Sequence, residues 1–121
     1  MTSKQKTILV VDDEQDILEF LQELLEMKGY SVAITDKAEH IEKQLDENPP
    51  DLIILDVLLP GRDGREIVRG LKSREETRHV PVIMFSAYPD AETTSLAAGA
   101  DDFLVKPFGV KKLLAIIARH I

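Results

Sequence analysis

Short apolar runs alternate with spaced apolar stripes five times along this chain. Ile8 to Val11 is a continuous run rich in β-branched residues, the pattern of a strand buried on both faces. Ile17, Phe20, Leu21, Leu24 and Leu25 then recur with helical spacing, and Gly29 supplies a stop. Ser31 to Thr35 reads as a second strand. Ala38, Ile41 and Leu45 mark a second helix, which cannot continue through Pro49 and Pro50 because proline lacks the donor and clashes with the preceding turn. Leu52 to Leu55 is a third strand, and Ile67, Val68 and Leu71 form the stripe of a third helix. Val82 to Phe85, introduced by Pro81, is a fourth strand. A weaker helix follows over about Ala91 to Ala98, ending at Gly99. Phe103 to Val105 is the fifth strand, and Val110, Leu113, Leu114 and Ile117 mark the last helix.

Strands alternating with helices imply a parallel sheet covered on both faces. Five such units predict a doubly wound α/β fold with the flavodoxin-like strand order 2-1-3-4-5. The 121 residues fit one domain spanning 1–121, with no linker or low-complexity segment.

In open parallel sheets, ligands bind beyond the carboxyl ends of the strands. The first strand ends in Asp12, Asp13 and Glu14, the third in Asp56, the fourth in Ser86 and the fifth in Lys106 and Pro107. Singly, each has an ordinary structural reading: a helix cap, a turn former, a satisfied hydroxyl, a solvated amine. The predicted order makes these four strands consecutive neighbours, so the carboxylates, hydroxyl and ammonium converge on one edge. Two carboxylates about 4 Å apart repel by roughly 4 kcal/mol at an effective dielectric of 20. Three call for a cation or a raised pKa. Mg2+ suits such a site, since it takes a few carboxylates and completes its shell with water and phosphate oxygens. A carboxylate can also act as a nucleophile towards phosphorus, with Lys106 offsetting charge and Ser86 donating to a phosphoryl oxygen.

Composition narrows the partners. The formal net charge is -7, from 22 acidic and 15 basic residues, which disfavours direct binding to nucleic acid. Cysteine is absent, which removes disulfides and thiolate metal sites. No apolar run reaches the length of a signal peptide or a membrane span, so a cytoplasmic location is expected. His40, His79 and His120 lack the spacing of a metal site.

The ordered motifs resemble the receiver domains of bacterial two-component systems. They are Val10-Val11-Asp12-Asp13-Glu14, Leu55-Asp56 with Pro60-Gly61-Arg62-Asp63-Gly64, Phe85-Ser86-Ala87, Gly99-Ala100-Asp101-Asp102 and Lys106-Pro107-Phe108. The resemblance runs from about Thr7 to Ile121. It implies that Asp56 is the phosphoacceptor, and that Asp13 and Asp56 bind Mg2+ directly, Asp12 mainly through water. It further implies a ligand from the Leu58 backbone carbonyl, phosphoryl contacts from Ser86 and Lys106, and a cis bond before Pro107. By its own surroundings Phe103 is a core strand residue; the resemblance makes it an aromatic that turns inward as Ser86 moves, remodelling the face of the fourth helix, fifth strand and fifth helix.

The implied partners are a histidine kinase or histidine phosphotransfer protein and a downstream output domain or effector, with a homodimer through the fourth and fifth helices as a further expectation. Such a domain modifies itself and slowly reverses the modification, so it is not a turnover enzyme. The sequence departs from the family pattern at Ser86, where threonine is common, at Phe103, where tyrosine is common, and at Arg62, often apolar. Leu58 and Tyr88, each two residues past a site residue, are a bulky pair expected to hinder an attacking water. Two other classes fit the residues less well. A phosphatase of the haloacid-dehalogenase type needs Asp-x-Asp after the first strand, whereas Asp12 and Asp13 are adjacent. A phosphorylation-independent receiver-fold module usually lacks one of the acids or the lysine, and all are present here.

Overall fold

The computed structural model describes residues 5–121. Its elements run β1 (Thr7–Val11), α1 (Gln15–Met27), β2 (Ser31–Thr35), α2 (His40–Glu47), β3 (Leu52–Asp56), β4 (Leu58–Leu59), β5 (Arg62–Asp63), α3 (Gly64–Ser73), β6 (Val82–Ser86), α4 (Ala91–Ala98), β7 (Asp102–Val105) and α5 (Val110–His120). The main sheet is five-stranded and parallel, in the order β2-β1-β3-β6-β7. Counting only its own strands, that is the order 2-1-3-4-5.

Alternation along the strands divides the core in two. Ile8, Val10, Leu52, Ile54, Ile83, Phe85 and Leu104 share one cluster with Leu18, Leu21 and Leu25 of α1 and Leu113, Ile116 and Ile117 of α5. Leu9, Val11, Ile53, Leu55, Val82, Met84 and Phe103 share the other with residues of α2, α3 and α4. Successive strand side chains point to opposite faces, so a strand covered on both sides is apolar throughout. Hence β3 and β6 are buried along their whole length, while β2 at the edge is only half-buried. Truncating a fully buried residue such as Ile54 to alanine should cost about 2–5 kcal/mol.

Two helical stripes differ in detail from their sequence reading. In α1 the inward row is Leu18, Leu21 and Leu25, whereas Phe20 is 49% exposed. With 3.6 residues per turn, Phe20 lies about 100° from Leu21 and off that row. In α5 the inward row is Leu113, Ile116 and Ile117, and Val110 at the first turn is 38% exposed. The second helix begins at His40, so the buried Ala38 precedes it. Among the described residues, no helix is long and apolar enough to cross a membrane.

Candidate functional site

Sheet register assembles the site. Val11 pairs with Leu55, Asp56 with Phe85 and Ser86 with Val105, so the residues ending β1, β3, β6 and β7 lie at one edge. Backbone bonds extend the ladder past the strand ends. Val57 N donates to the Phe85 carbonyl at 3.0 Å, and Lys106 N to the Ser86 carbonyl at 2.8 Å. The Lys106–Pro107 peptide is cis.

Asp12, Asp13 and Asp56 each present a carboxylate oxygen, all within 4.8 Å of one another. Asp12 and Asp56 are buried, and Asp13 is exposed at the mouth. Lys106 reaches across this group: its Nζ is 2.8 Å from Asp12 Oδ2, 3.4 Å from Glu14 Oε1 and 3.5 Å from Asp56 Oδ2. The same ammonium lies 4.6 Å from the centre of the Phe85 ring, whose electron-rich face attracts it. Asp12 also accepts a 2.8 Å bond from Glu14 N. That bond holds the turn into α1, where Glu14 is the helix cap residue yet makes no side-chain cap bond. The Asp pair is therefore not the helix cap that its position suggests in isolation.

Burial dominates the electrostatics. It pushes the Asp56 carboxyl up to about 6, and repulsion from Asp12 adds to this against the pull of Lys106 and the Leu58 N–H. Burial likewise raises Asp12, despite its bonds from Lys106 and Glu14 N. For Lys106, burial opposes the charge, but the hydrogen bond and field of Asp12, with Asp56 and Glu14, prevail and raise its pKa. One ammonium thus serves three carboxylates, which leaves the cluster an excess of negative charge. An all-oxygen donor set of that charge fits a hard divalent cation.

Ser86 is buried, and its Oγ accepts from Tyr88 N at 3.0 Å. Among the described residues its hydroxyl donates to no protein group, so the proton is available to a ligand. Ser86 lines an open cleft with Val57, Leu58, Arg65, Tyr88 and Thr94. Leu58 and Tyr88 project there, 51% and 59% exposed. Phe103 stands apart, turned into the core on the side of α2, α3 and α4.

Three features escaped the sequence reading. Glu14 is a partner of Lys106. The short β4–β5 hairpin follows β3 directly. Asp63 caps α3, accepting from Arg65 N at 2.9 Å. The signal for the last was present, because an acid three residues ahead of Glu66 at a helix start is a capping pattern.

The family model described as the response regulator receiver domain matches residues 8–118. The chain belongs to this family. Its relatives include the phosphate regulon transcriptional regulatory protein PhoB of Pseudomonas aeruginosa, 41% identical over 112 residues, covering 91% of this chain and 49% of that protein. The chain spans about half the length of the curated relatives it matches. Among solved structures, the chemotaxis response regulator CheY4 of Vibrio cholerae superposes with a TM-score of 0.89 at 27% identity, covering 98% of this chain and all of that one. The signal receiver domain of a histidine kinase from Syntrophus aciditrophicus superposes with a TM-score of 0.86 at 35% identity, covering 94% and 88% of the two chains. Receiver domains thus occur in regulators and within a kinase alike.

Proposed function

We propose that this receiver accepts a phosphoryl group on Asp56 from a histidine kinase or histidine phosphotransfer protein and passes the signal to an output domain or effector. The observation that carries the reading is the convergence of Asp12, Asp13, Asp56 and Lys106 at one sheet edge. An Asp56 oxygen attacks phosphorus, the bond from phosphorus to the donor imidazole nitrogen breaks, and the imidazole keeps the electron pair. With its carboxyl near 6, Asp56 is mostly ionised at neutral pH and ready as a nucleophile.

Asp12, Asp13, Asp56 and the Leu58 backbone carbonyl would hold Mg2+, Asp12 mainly through water. When bound, the ion supplies positive charge against the transferring oxygens. Lys106 sits within reach of the Asp56 carboxylate and offsets charge there. Ser86 gives its free O–H to a phosphoryl oxygen, while Phe103, the aromatic expected to turn inward with it, is already buried in the core. The response is a shift in a two-state equilibrium of the face formed by α4, β7 and α5. That face is also where two copies would pair. The domain modifies itself rather than turning over a free substrate, and the setting is the cytoplasm.

Phosphoramidate, whose P–N bond stands in for phosphohistidine, tests the reading. Wild type should show a Mg2+-dependent mobility shift in a phosphate-affinity gel, absent in Asp56→Asn. An equal shift in both would move the acceptor elsewhere, and no shift in either would favour an interaction module that works without phosphorylation.

A further inference from the structure

We propose that Asp63, Arg65 and Thr94 form a clasp that holds α4 against the acceptor end of the sheet and sets how readily that helix moves. Its consequence for signalling rests on the phosphoacceptor reading, whereas the clasp itself does not.

The start of α3 is fixed to the acceptor strand. Gly64 N donates to the Val57 carbonyl at 2.6 Å. A Cβ on Gly64 would collide with the Asp56 carbonyl oxygen and come within 2.9 Å of Met84 Cε. Glycine therefore permits a backbone contact that makes α3 and the Asp56 segment one body. Arg65 follows at once. Its Nε and Nη2 bind Asp63 Oδ1 and Oδ2 at 2.9 and 2.7 Å, a two-point fork that fixes the guanidinium plane. The remaining Nη1 donates to Thr94 Oγ1 at 2.8 Å, and Thr94 Oγ1 in turn donates to the Ala91 carbonyl at 3.2 Å.

The far end of α4 is pinned where Asp101, just past Gly99, binds Lys72 Nζ and Val82 N at 2.8 Å each, but few large side chains anchor the helix itself. Its buried residues are Ala91, Ser95 and Ala98, all small, and the helix packs on α3 and β7. Small side chains bury little apolar area, so hydrophobic anchoring is correspondingly weak. Ser95 Oγ is buried with no hydrogen-bond partner, which weakens the packing further. Leu96 faces outward at 44% exposure. Among the described residues, Arg65 to Thr94 is the one side-chain hydrogen bond from α4 to another element. The turn before α4 is tied separately: Ser86 Oγ accepts from Tyr88 N, and the Tyr88 carbonyl accepts from Ala91 N at 3.0 Å. Both ties lead back to the strand ends at the site. Displacing Ser86 loosens the first, which leaves the clasp as the tie at the N-terminal half of α4.

Amide hydrogen exchange followed by mass spectrometry tests this on the unmodified chain. Thr94→Val removes the acceptor and keeps the shape, leaving the Asp63–Arg65 fork and the α3 cap intact. Arg65→Met removes the donor. Each should speed exchange across α4 by about threefold to tenfold, with β3 and α1 unchanged, since the bond involves a charged donor but is partly solvated. The double variant should exchange no faster than the faster single one, and Thr94→Ser should restore wild-type protection. Unchanged exchange in α4 with Thr94→Val, or equal acceleration throughout the molecule, would overturn the clasp. A second arm adds acetyl phosphate and Mg2+. Protection of α4 should then fall less in wild type, which keeps the clasp, than in Thr94→Val, and equal falls would overturn the coupling. If no phosphoryl group is taken up, the phosphoacceptor reading fails, while the unmodified chain still decides the clasp.

Discussion

Replacing Asp56 by its neutral isostere should stabilise the metal-free protein. Asp56 is 6% exposed, beside buried Asp12, and its carboxyl is raised from 3.8 to about 6. The folded protein holds that proton more tightly than the unfolded chain, so folding takes up a proton between about pH 4 and pH 6 and stability falls as pH rises through this window. A shift of about two units corresponds to roughly 3 kcal/mol of penalty fully present above the folded pKa. Asp56→Asn keeps the shape and removes the penalty, while Lys106 retains Asp12 at 2.8 Å. The variant should therefore gain about 1–3 kcal/mol at about pH 8 in chelator, the lower end allowing for imperfect amide bonding.

Urea unfolding followed by far-UV circular dichroism gives the difference from the two midpoints at a common slope. The advantage should shrink towards zero by about pH 4, where the wild-type carboxyl is protonated. Mg2+ should also erase it, because an ion at about a hundred times its Kd contributes roughly 2.7 kcal/mol to whichever protein binds it. An Asp56→Asn variant no more stable than wild type at high pH, or an advantage independent of pH, would refute the reasoning.

Other expectations follow from the same contacts. Lys106→Met leaves Asp12 buried without its cation and should cost about 3–5 kcal/mol in metal-free urea unfolding at neutral pH, partly recovered with Mg2+. Gly64→Ala forces α3 off the Asp56 carbonyl, so thermal unfolding should show a loss of about 1–3 kcal/mol or more, together with slower phosphoryl uptake. Leu58 and Tyr88 flank the cleft at Ser86, and changing both to serine should shorten the life of the phosphorylated protein, followed by phosphate release; slower decay in the double variant would sink that idea.

The strands were legible because β1, β3 and β6 are covered on both faces and so form unbroken apolar runs. Asp12, Asp56, Ser86 and Lys106 were legible because parallel register carries strand-end residues to one edge. What escaped depends on contacts that periodicity does not encode. The β4 and β5 strands are two residues each, too short to show alternation. Arg65 meets Thr94 across 29 residues, and only the packing of α3 beside α4 brings them together. Glu14 looks like a helix-start acid until Lys106 is placed over it. Phe20 has helical spacing with Ile17 and Leu24, yet the sheet takes the neighbouring row.

Intact-mass analysis after incubation with acetyl phosphate, with and without Mg2+, on wild type and Asp56→Asn, tests the central claim most directly. One added phosphoryl group in wild type, requiring Mg2+, mapping to Asp56 and absent in the variant, is the predicted result. No gain in wild type, or an equal gain in Asp56→Asn, would contradict it.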